Sequence, residues 1–236
     1  MSPNRVSVII PCLNEGAVIG SLLKSLQPCR RQGHEVILVD GGSDDGSAEI
    51  SASLADRLIV SPKGRARQMN VGARAATREF LWFLHADSGI DASMIGEISR
   101  ILGEGRHCWG RFDVRLSGDG GALRMVEFMM NWRSRLTGIA TGDQGIFVTR
   151  HAFESVGGYP DIPLMEDVAI SRALKRLSRP ATQNSRILTS SRRWEKNGTL
   201  KTILLMWRLR FAYALGADPA RLSEKYRSCG SPETES

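Results

Sequence analysis

The chain has 236 residues, which is long enough for one α/β domain with a substantial core and too short for two such domains. Hydrophobic residues make up 42% of it, which excludes a disordered chain, and no stretch approaches the ~18 consecutive apolar residues of a membrane span. The formal net charge of +7 leaves three classes of partner: nucleic acid, an anionic membrane surface, or a phosphorylated small molecule.

Charge distribution and cysteine usage narrow these classes. Basic residues cluster at 65–78 and 172–210, and no aromatic RNA-binding motif is present, so we expect no nucleic-acid partner. The four cysteines lack metal-ligand spacing and are expected to be small buried hydrophobes or free thiols, which fits a reducing compartment. Since no secretory signal is recognisable, we expect a cytoplasmic protein, with peripheral contact at the inner face of the membrane as a further option.

The first half of the chain alternates strands and helices. Apolar runs predict four strands, at 6–10, 35–39, 58–60 and 80–84. Apolar spacing predicts helices at 15–27 and 65–76, and Ser43 is expected to cap a further helix with Asp44 and Asp45 in its first turn. This alternation predicts an α/β fold: a wound, mainly parallel mixed sheet flanked by helices.

The second half has a different pattern. Residues 108–116 alternate with period two and place Arg111, Asp113 and Arg115 on a polar face, which predicts a strand. Further elements are predicted at 123–136 (helix), 146–149 (strand), 165–177 (helix) and 199–215 (helix). The last helix mixes apolar and basic residues, so it would pack on its own domain or on a second subunit, or lie on an anionic bilayer; packing is favoured.

Polar residues follow three of the predicted strands. Strand one runs into Pro11-Cys12-Leu13-Asn14-Glu15, strand two into Asp40, and strand four into His85-Ala86-Asp87. Because a wound sheet binds ligands beyond the carboxyl ends of its strands, these groups predict a nucleotide pocket. No GxGxxG motif or P-loop follows the first strand, which argues against a dinucleotide or P-loop site.

Taken in order, these motifs resemble the family-2 glycosyltransferases, which have the GT-A fold. The resemblance covers about residues 5–195, and it is carried by the segments 8–15, 39–46 and 84–87 and by Glu166-Asp167. Three more segments, 64–70, 142–145 and 191–194, are similar to the bacterial subgroup called radical-SAM/selenodomain-associated glycosyltransferases. The resemblance implies a nucleotide-sugar-dependent enzyme of the hexosyltransferase type.

The resemblance also assigns residues to the nucleotide. The candidates are Pro11, Asn14, Glu15, Asp40, Gly41, Ser43, Arg65, Arg67, Asn70, His85 and Ala86. The Asp40 carboxylate would accept hydrogen bonds from the base or ribose, and its alternative is a plain turn residue before two glycines. The guanidinium groups of Arg65 and Arg67 suit a diphosphate, and their alternative is a solvated helix face.

Asp87 is the candidate metal ligand. A donor diphosphate needs its leaving charge neutralised, and Mn²⁺ or Mg²⁺ takes oxygen ligands from one or two carboxylates and from the phosphates. Family members usually carry Asp-x-Asp or Asp-Asp here, whereas this chain has His85 in place of the first carboxylate. His85 would contact the nucleotide, bind Mn²⁺ or only pack.

Glu166 and Asp167 begin a predicted helix, whose dipole favours ionised carboxylates. By resemblance, Asp167 is the general base that accepts a proton from the acceptor hydroxyl, and Glu166 is its neighbour in the acceptor site. The alternative is two acids that stabilise the first turn. The candidate residues for sugar and acceptor binding are Asp143, Gln144, Arg192, Arg193 and Trp194. For Arg192 and Arg193 the alternative is a basic surface loop.

These assignments predict an inverting, metal-dependent transfer of a sugar from a nucleotide-sugar donor to a small-molecule or lipid-linked acceptor. We expect one domain over 1–227, with a nucleotide-binding half (about 1–105), an acceptor half (about 106–198) and a C-terminal helix (about 199–216), and a disordered tail at 228–236. Two alternatives are a nucleotidyltransferase, which would need a glycine-rich basic loop after strand one, and a non-catalytic nucleotide-sugar-binding protein at a membrane surface. A homodimer is also left open.

Overall fold

The computed structural model describes residues 4–228, apart from the side chains of Arg193, Lys196, Asn197, Leu200 and Arg227. The strands in this part of the chain are β1 (Val6–Cys12), β2 (Glu35–Asp40), β3 (Arg57–Val60), β4 (Phe80–Phe83), β5 (Trp109–Leu116), β6 (Phe147–Thr149) and β7 (Ala181–Thr189). The helices are α1 (Gly16–Ser25), α2 (Gln27–Arg31), α3 (Ser47–Ala52), α4 (Arg65–Ala75), α5 (Met94–Gly103), α6 (Gly121–Thr137), α7 (Arg150–Ser155), α8 (Glu166–Leu174), α9 (Arg192–Asn197), α10 (Thr199–Ala214) and α11 (Pro219–Ser228).

The strands form one seven-stranded sheet in the order β3-β2-β1-β4-β6-β5-β7. The first four of these strands are parallel, β6 runs antiparallel to both β4 and β5, and β7 is parallel to β5. This confirms the predicted α/β class and the mainly parallel mixed sheet. The carboxyl ends of β1, β2, β4, β5 and β7 therefore meet at one edge, where the antiparallel β6 begins.

Both faces of the sheet are covered. Val8 and Ile10 of β1 belong to a cluster with residues of α1 and α5, whereas Ile9 belongs to a second cluster with residues of α4 and α8. This alternation follows from the period of a strand. In α4, Gly72 lies against Ile9 so closely that a side chain there would clash. The close approach of α4 holds its first residues at the edge where the strands end.

The loop after β2 differs from the prediction. Ser43 does not cap a helix: its hydroxyl donates to Asp40 Oδ1 at 2.5 Å, and α3 begins later, at Ser47, behind the left-handed Gly46 (φ 84°). Asp44 and Asp45 accordingly precede the helix instead of forming its first turn. A glycine suits this left-handed position because it has no Cβ.

The polar side chains of strand β5 are mostly buried. Arg111 and Asp113 lie on the predicted polar face, but both are buried because α6 covers that side of β5. Arg111 pairs with Asp113, whose second oxygen accepts from Arg135 Nη2 at 2.7 Å. Arg115 alone is exposed.

Replacing Asp113 by alanine should leave the Arg111 guanidinium buried without its partner. We expect a loss of roughly 3 to 5 kcal/mol in the free energy of unfolding, the usual effect of breaking a buried pair on one side. Urea unfolding measures this loss, with Arg115→Ala on the same strand as a control that should stay within about 0.5 kcal/mol of the parent. A loss below about 1 kcal/mol for Asp113→Ala would contradict a role for this pair in stability.

Among the described elements, six were not predicted: α2, α5, α7, β7, α9 and α11. The described cysteines, Cys12, Cys29 and Cys108, are free thiols, and the first two are buried. Cys229 and most of the predicted tail, residues 229–236, lie outside the described residues.

One face of α10 packs on its own domain, as the favoured prediction states. Leu209 lies in a buried cluster with Val168 of α8 and Leu222 of α11. The opposite face exposes large apolar side chains: Leu204, Trp207, Phe211 and Leu215. Across residues 4–228, the helices are too short or too polar to cross a membrane.

Candidate active site

A cleft of ≈ 1890 Å³ opens where the strands end. Its walls come from the loop after β1, the start of α4, the loop after β4, the start of α8, and the helices α6 and α10. The cleft therefore joins the predicted nucleotide-binding and acceptor halves. Of the sequence-predicted residues, it is lined by Pro11, Glu15, Arg65, Arg67, His85, Ala86, Asp87, Asp143, Glu166, Asp167 and Trp194.

The loops after β1 and β2 hold each other beside this cleft. Asn14 donates from its backbone to Ser43 Oγ at 2.9 Å, and its side-chain oxygen accepts from the backbone of Asp44 at 3.0 Å. Asp40 is buried, and its Oδ2 accepts from the backbone of Gly42 and Ser43, each at 3.0 Å. These hydrogen bonds hold the two loops together, but four predicted nucleotide-binding residues in them lie outside the cleft lining: Asn14, Asp40, Gly41 and Ser43. Their contact with a nucleotide stays a prediction.

Gln68 of α4 ties the two strand ends together. Its buried amide nitrogen donates to the carbonyl oxygens of Cys12 at 2.7 Å and Val39 at 2.8 Å. Gly41 lies close to this amide, and a side chain there would crowd it. Gln68 lines the cleft and belongs to the segment 64–70 that carries part of the resemblance, although it was not assigned to a ligand.

Two residues of α4 hold the loop that leads into α8. Arg67 Nε donates to both carboxylate oxygens of Asp161 at 2.8 Å. The Asn70 side chain donates to the carbonyl of Tyr159 at 2.7 Å and accepts from its backbone N–H at 2.9 Å. Asn70 lies outside the cleft lining, and both ends of its amide brace the loop, so its contact with a nucleotide stays a prediction.

Glu15 and Asp87 place two carboxylates on the nucleotide side of the cleft. Among the described residues, neither carboxylate has a hydrogen-bond or ion-pair partner. Burial, followed by the negative charge of Asp87, raises the pKa of Glu15 above its ordinary value, while Arg192 and Arg65 oppose this shift. Two carboxylates that repel each other in this way favour a bound cation.

The fit to a metal ion depends on this pair. Within the described part of the chain, no group of three or more His, Cys, Asp or Glu side chains could hold a metal by itself. One or two carboxylates are nevertheless the usual protein share for an ion that takes its other ligands from phosphates and water. Asp87 and Glu15 therefore fit Mn²⁺ or Mg²⁺ that arrives with a diphosphate.

His85 pairs with Asp143, across the gap between β4 and the turn before β6. Its Nδ1 lies 3.3 Å from Asp143 Oδ1, and its ring packs on Gly142. Burial alone would raise the pKa of Asp143, but the hydrogen bond and charge of His85, helped by Arg65 and Arg210, hold that pKa below its ordinary value. Asp143 is thus an ionised carboxylate in the cleft lining, and sequence spacing did not indicate its pairing with His85.

Gln144 braces the turn before β6. It is fully buried, and its amide oxygen accepts from the backbone of Thr141 at 3.1 Å in a capping box for the short helical turn Gly142–Gln144. Because its side chain is enclosed within this turn, Gln144 does not line the cleft. Its contact with sugar hydroxyls stays a prediction.

The two acids at the start of α8 face the cleft from its other side. Met165 precedes them in the left-handed region (φ 70°), a conformation uncommon for methionine that often occurs at functional sites. Asp167 Oδ2 accepts from the backbone of Gly142 at 3.0 Å and Oδ1 from that of Val168 at 2.7 Å, which fixes the carboxylate. Burial, then the charge of Asp167, raises the pKa of Glu166, whose Oε1 lies 3.8 Å from Arg65 Nη1.

The predicted basic residues after β7 are only partly described. Arg192 is exposed, and its Nε donates to Ser190 Oγ at 3.0 Å, so it lies at the rim and acts on Glu15 through its charge. Trp194 lines the cleft and packs beside Leu116. The Arg193 side chain lies outside the described atoms, and its role stays a prediction.

Sequence reasoning missed two arginines in the cleft, Arg133 of α6 and Arg210 of α10. Burial, followed by the charge of Arg210, lowers the pKa of Arg133 to about 9, and Asp167 opposes this shift. Both residues fall within predicted helices, but only the tertiary fold brings them together.

Comparison with known proteins agrees with this architecture. The model of the family "Glycosyl transferase family 2" matches residues 7–155, more than half of the chain. A "PGL/p-HBAD biosynthesis glycosyltransferase" of Mycobacterium tuberculosis is 34% identical over 112 residues, which are 44% of this chain and 44% of that protein. The matched segment thus covers less than half the length of this relative.

Two solved structures share the fold. S. aureus TarS in complex with UDP-GlcNAc superposes with a TM-score of 0.63 at 19% identity, covering 79% of this chain and 58% of that one. The mannosyltransferase PcManGT from Pyrobaculum calidifontis, in complex with GDP-Man and Mn²⁺, gives 0.65 at 21% identity, covering 95% and 69%. At these identities the likeness is one of fold alone. On the family match, the chain belongs to glycosyl transferase family 2.

Proposed function

We propose that this protein is an inverting glycosyltransferase that moves a sugar from a nucleoside-diphosphate sugar to an acceptor hydroxyl, assisted by a divalent metal ion. The observation that carries the proposal is the arrangement of carboxylates in one cleft. On one side lie Asp87 and Glu15, whose carboxylates have no partner among the described residues. On the other side lies Asp167, which two backbone hydrogen bonds fix in place.

In this proposal Asp167 accepts the proton of the acceptor hydroxyl. The hydroxyl oxygen then forms a bond to the anomeric carbon, while the bond from that carbon to the diphosphate oxygen breaks. The leaving nucleoside diphosphate takes the electron pair. A single displacement of this kind inverts the anomeric configuration, and the positioned base contributes roughly 10² to 10⁴ in rate.

The leaving diphosphate is handled on the opposite side. A bound Mn²⁺ or Mg²⁺ would neutralise the charge that develops on the diphosphate. Asp87, with Glu15 beside it, would hold this ion, and Arg65 and Arg192 would add positive charge from α4 and from the rim. The ligands of TarS (UDP-GlcNAc) and PcManGT (GDP-Man and Mn²⁺) support a donor of this chemical class.

Two other functions compete with this proposal. Neither the nucleotidyltransferase nor the non-catalytic binding protein gains a specific observation: the loop after β1 carries no glycine-rich basic sequence. Four further features stay predictions: the similarity to the radical-SAM/selenodomain-associated subgroup, the division into a nucleotide half and an acceptor half, the homodimer and the membrane contact.

A screen of nucleotide sugars tests the proposal without knowledge of the acceptor. At about 100 times its dissociation constant, the true donor should add about 2.7 kcal/mol to the free energy of unfolding. We expect this stabilisation to require Mn²⁺ or Mg²⁺ and to disappear with EDTA. If nucleoside diphosphates and their sugars all fail to raise the melting temperature in the presence of either metal, the proposed function is wrong.

A further inference from the structure

Arg133 of α6 and Arg210 of α10 place two guanidinium groups in the cleft, and neither has a counter-ion among the described residues. Nη2 of Arg133 and Nε of Arg210 are buried without a hydrogen-bond partner, and Nη1 of Arg133 donates only a long bond of 3.3 Å to the carbonyl of Ile139. Among the described residues, no carboxylate lies within ion-pair distance of either arginine. A buried polar atom without a partner is uncommon and calls for an explanation.

The nearby acids do not neutralise these arginines by contact. Asp167 acts on Arg133 through its charge, but its oxygens accept from the backbone of Gly142 and Val168. Asp143 pairs with His85. Two desolvated like charges destabilise a protein unless an anion joins them, and the planar guanidinium suits the oxygens of a phosphate.

The mouth of the same cleft is apolar. The apolar side chains come from α6 and α10, the two helices that also carry the more buried Arg133 and Arg210. The side chains that both line the cleft and are more than half exposed are Trp132 and Leu136 of α6 and Leu204, Trp207 and Phe211 of α10. An exposed apolar patch of this kind marks a binding surface. An apolar mouth above a cationic floor matches an amphiphile with an anionic head.

We infer that the acceptor is a phosphate-bearing lipid, whose phosphate binds between Arg133 and Arg210 and whose hydrocarbon chain lies on the apolar residues of α6 and α10. This inference rests on the proposed function, because it assigns the chemistry of the acceptor to the same cleft. A phosphate bound there brings the acceptor hydroxyl of the lipid headgroup towards Asp167, the proposed base, whose charge acts on Arg133.

The inference has two parts, a phosphate contact and an apolar contact. Three probes separate them: decyl phosphate, inorganic phosphate and decanol. Measured by titration calorimetry, decyl phosphate should bind at least about 10-fold more tightly than either of the other two, since each lacks one half of the recognition. Arg210→Gln and Arg133→Gln should each weaken decyl phosphate by about 10-fold or more, the usual worth of a charged hydrogen bond. Lys201→Gln is the matched control: it removes the same charge from an exposed position of α10 outside the cleft lining.

Any one of four outcomes would overturn the inference. If inorganic phosphate binds as tightly as decyl phosphate, the hydrocarbon chain is not recognised. If decanol binds as tightly, the phosphate is not recognised by the arginines. If Lys201→Gln weakens decyl phosphate as much as the arginine variants do, the effect is one of general charge. Should Arg133→Gln fail to fold, Arg210→Gln and Arg133→Lys carry the test. Unaltered binding of the nucleotide-sugar donor by each variant confirms that the fold is intact. A protein that binds its donor but not decyl phosphate contradicts only this inference, whereas one that binds no nucleotide sugar contradicts the proposed function.

Discussion

Replacing Asp167 by asparagine is expected to lower the rate of sugar transfer by roughly 10² to 10⁴, the usual contribution of a positioned general base. Asparagine keeps the size of the side chain and one oxygen that accepts from the backbone of Gly142 or Val168. It loses the ability to take a proton from the acceptor hydroxyl. Initial rates at saturating donor and the dissociation constant of the donor measure the effect. We expect the donor affinity to change little, because the proposed nucleotide pocket lies at the strand ends and Asp167 lies at the start of α8.

Glu166→Gln is the comparison variant for this experiment. Glu166 is buried beside Arg65, and we expect it to shape the site without taking the proton. Its replacement should therefore slow transfer less than that of Asp167. Near-normal turnover of Asp167→Asn would remove Asp167 from the role of base, and a larger loss with Glu166→Gln would move that role to its neighbour.

Replacing Asp87 by alanine is expected to lower the transfer rate by about 10² or more, because a metal ion at a leaving diphosphate contributes several kcal/mol to the transition state. The Asp87 carboxylate has no partner among the described side chains, so its removal should leave the fold intact. Rates measured against Mn²⁺ concentration should show that the variant needs far more metal than the parent.

Asp44→Ala is the matched control for Asp87, since Asp44 is an exposed carboxylate near the same edge but outside the cleft lining. It should behave as the parent does in both rate and metal dependence. Persistent activity of Asp87→Ala in the presence of EDTA would contradict a metal mechanism. The charge of the diphosphate would then have to be carried by arginines such as Arg65 and Arg192.

The strands of the nucleotide-binding half were predictable because most of them are buried on both faces. Residues Val6–Cys12 and Glu35–Asp40 are buried throughout, so they read as largely apolar runs. Strand β7 (Ala181–Thr189) lies at the sheet edge, and its residues 182–186 are all polar and half-buried or exposed, which hid it from this criterion. The helix α5 (Met94–Gly103) did carry a signal, since its buried residues follow helical spacing, and it was overlooked.

The candidate site was predictable to the extent that its residues follow strand ends or open a helix. Asp87 and Asp167 satisfy this rule and line the cleft. Gln144 fails it because a capping box uses its amide inside the turn, a demand of local geometry that composition does not reveal. Arg133 and Arg210 were beyond prediction, because the absence of a counter-ion is a property of the packed structure.

The proton NMR spectrum of the protein with its donor and Mn²⁺ tests the central proposal most directly. It follows the anomeric signal of the α-linked donor and that of the product in one experiment, even when water serves as the acceptor. Single displacement with Asp167 as base predicts loss of the donor signal and first appearance of a β-configured product, at a rate that falls in Asp167→Asn. A product that appears first in the α configuration would contradict single displacement, and a donor that stays intact at all metal concentrations would contradict sugar transfer itself.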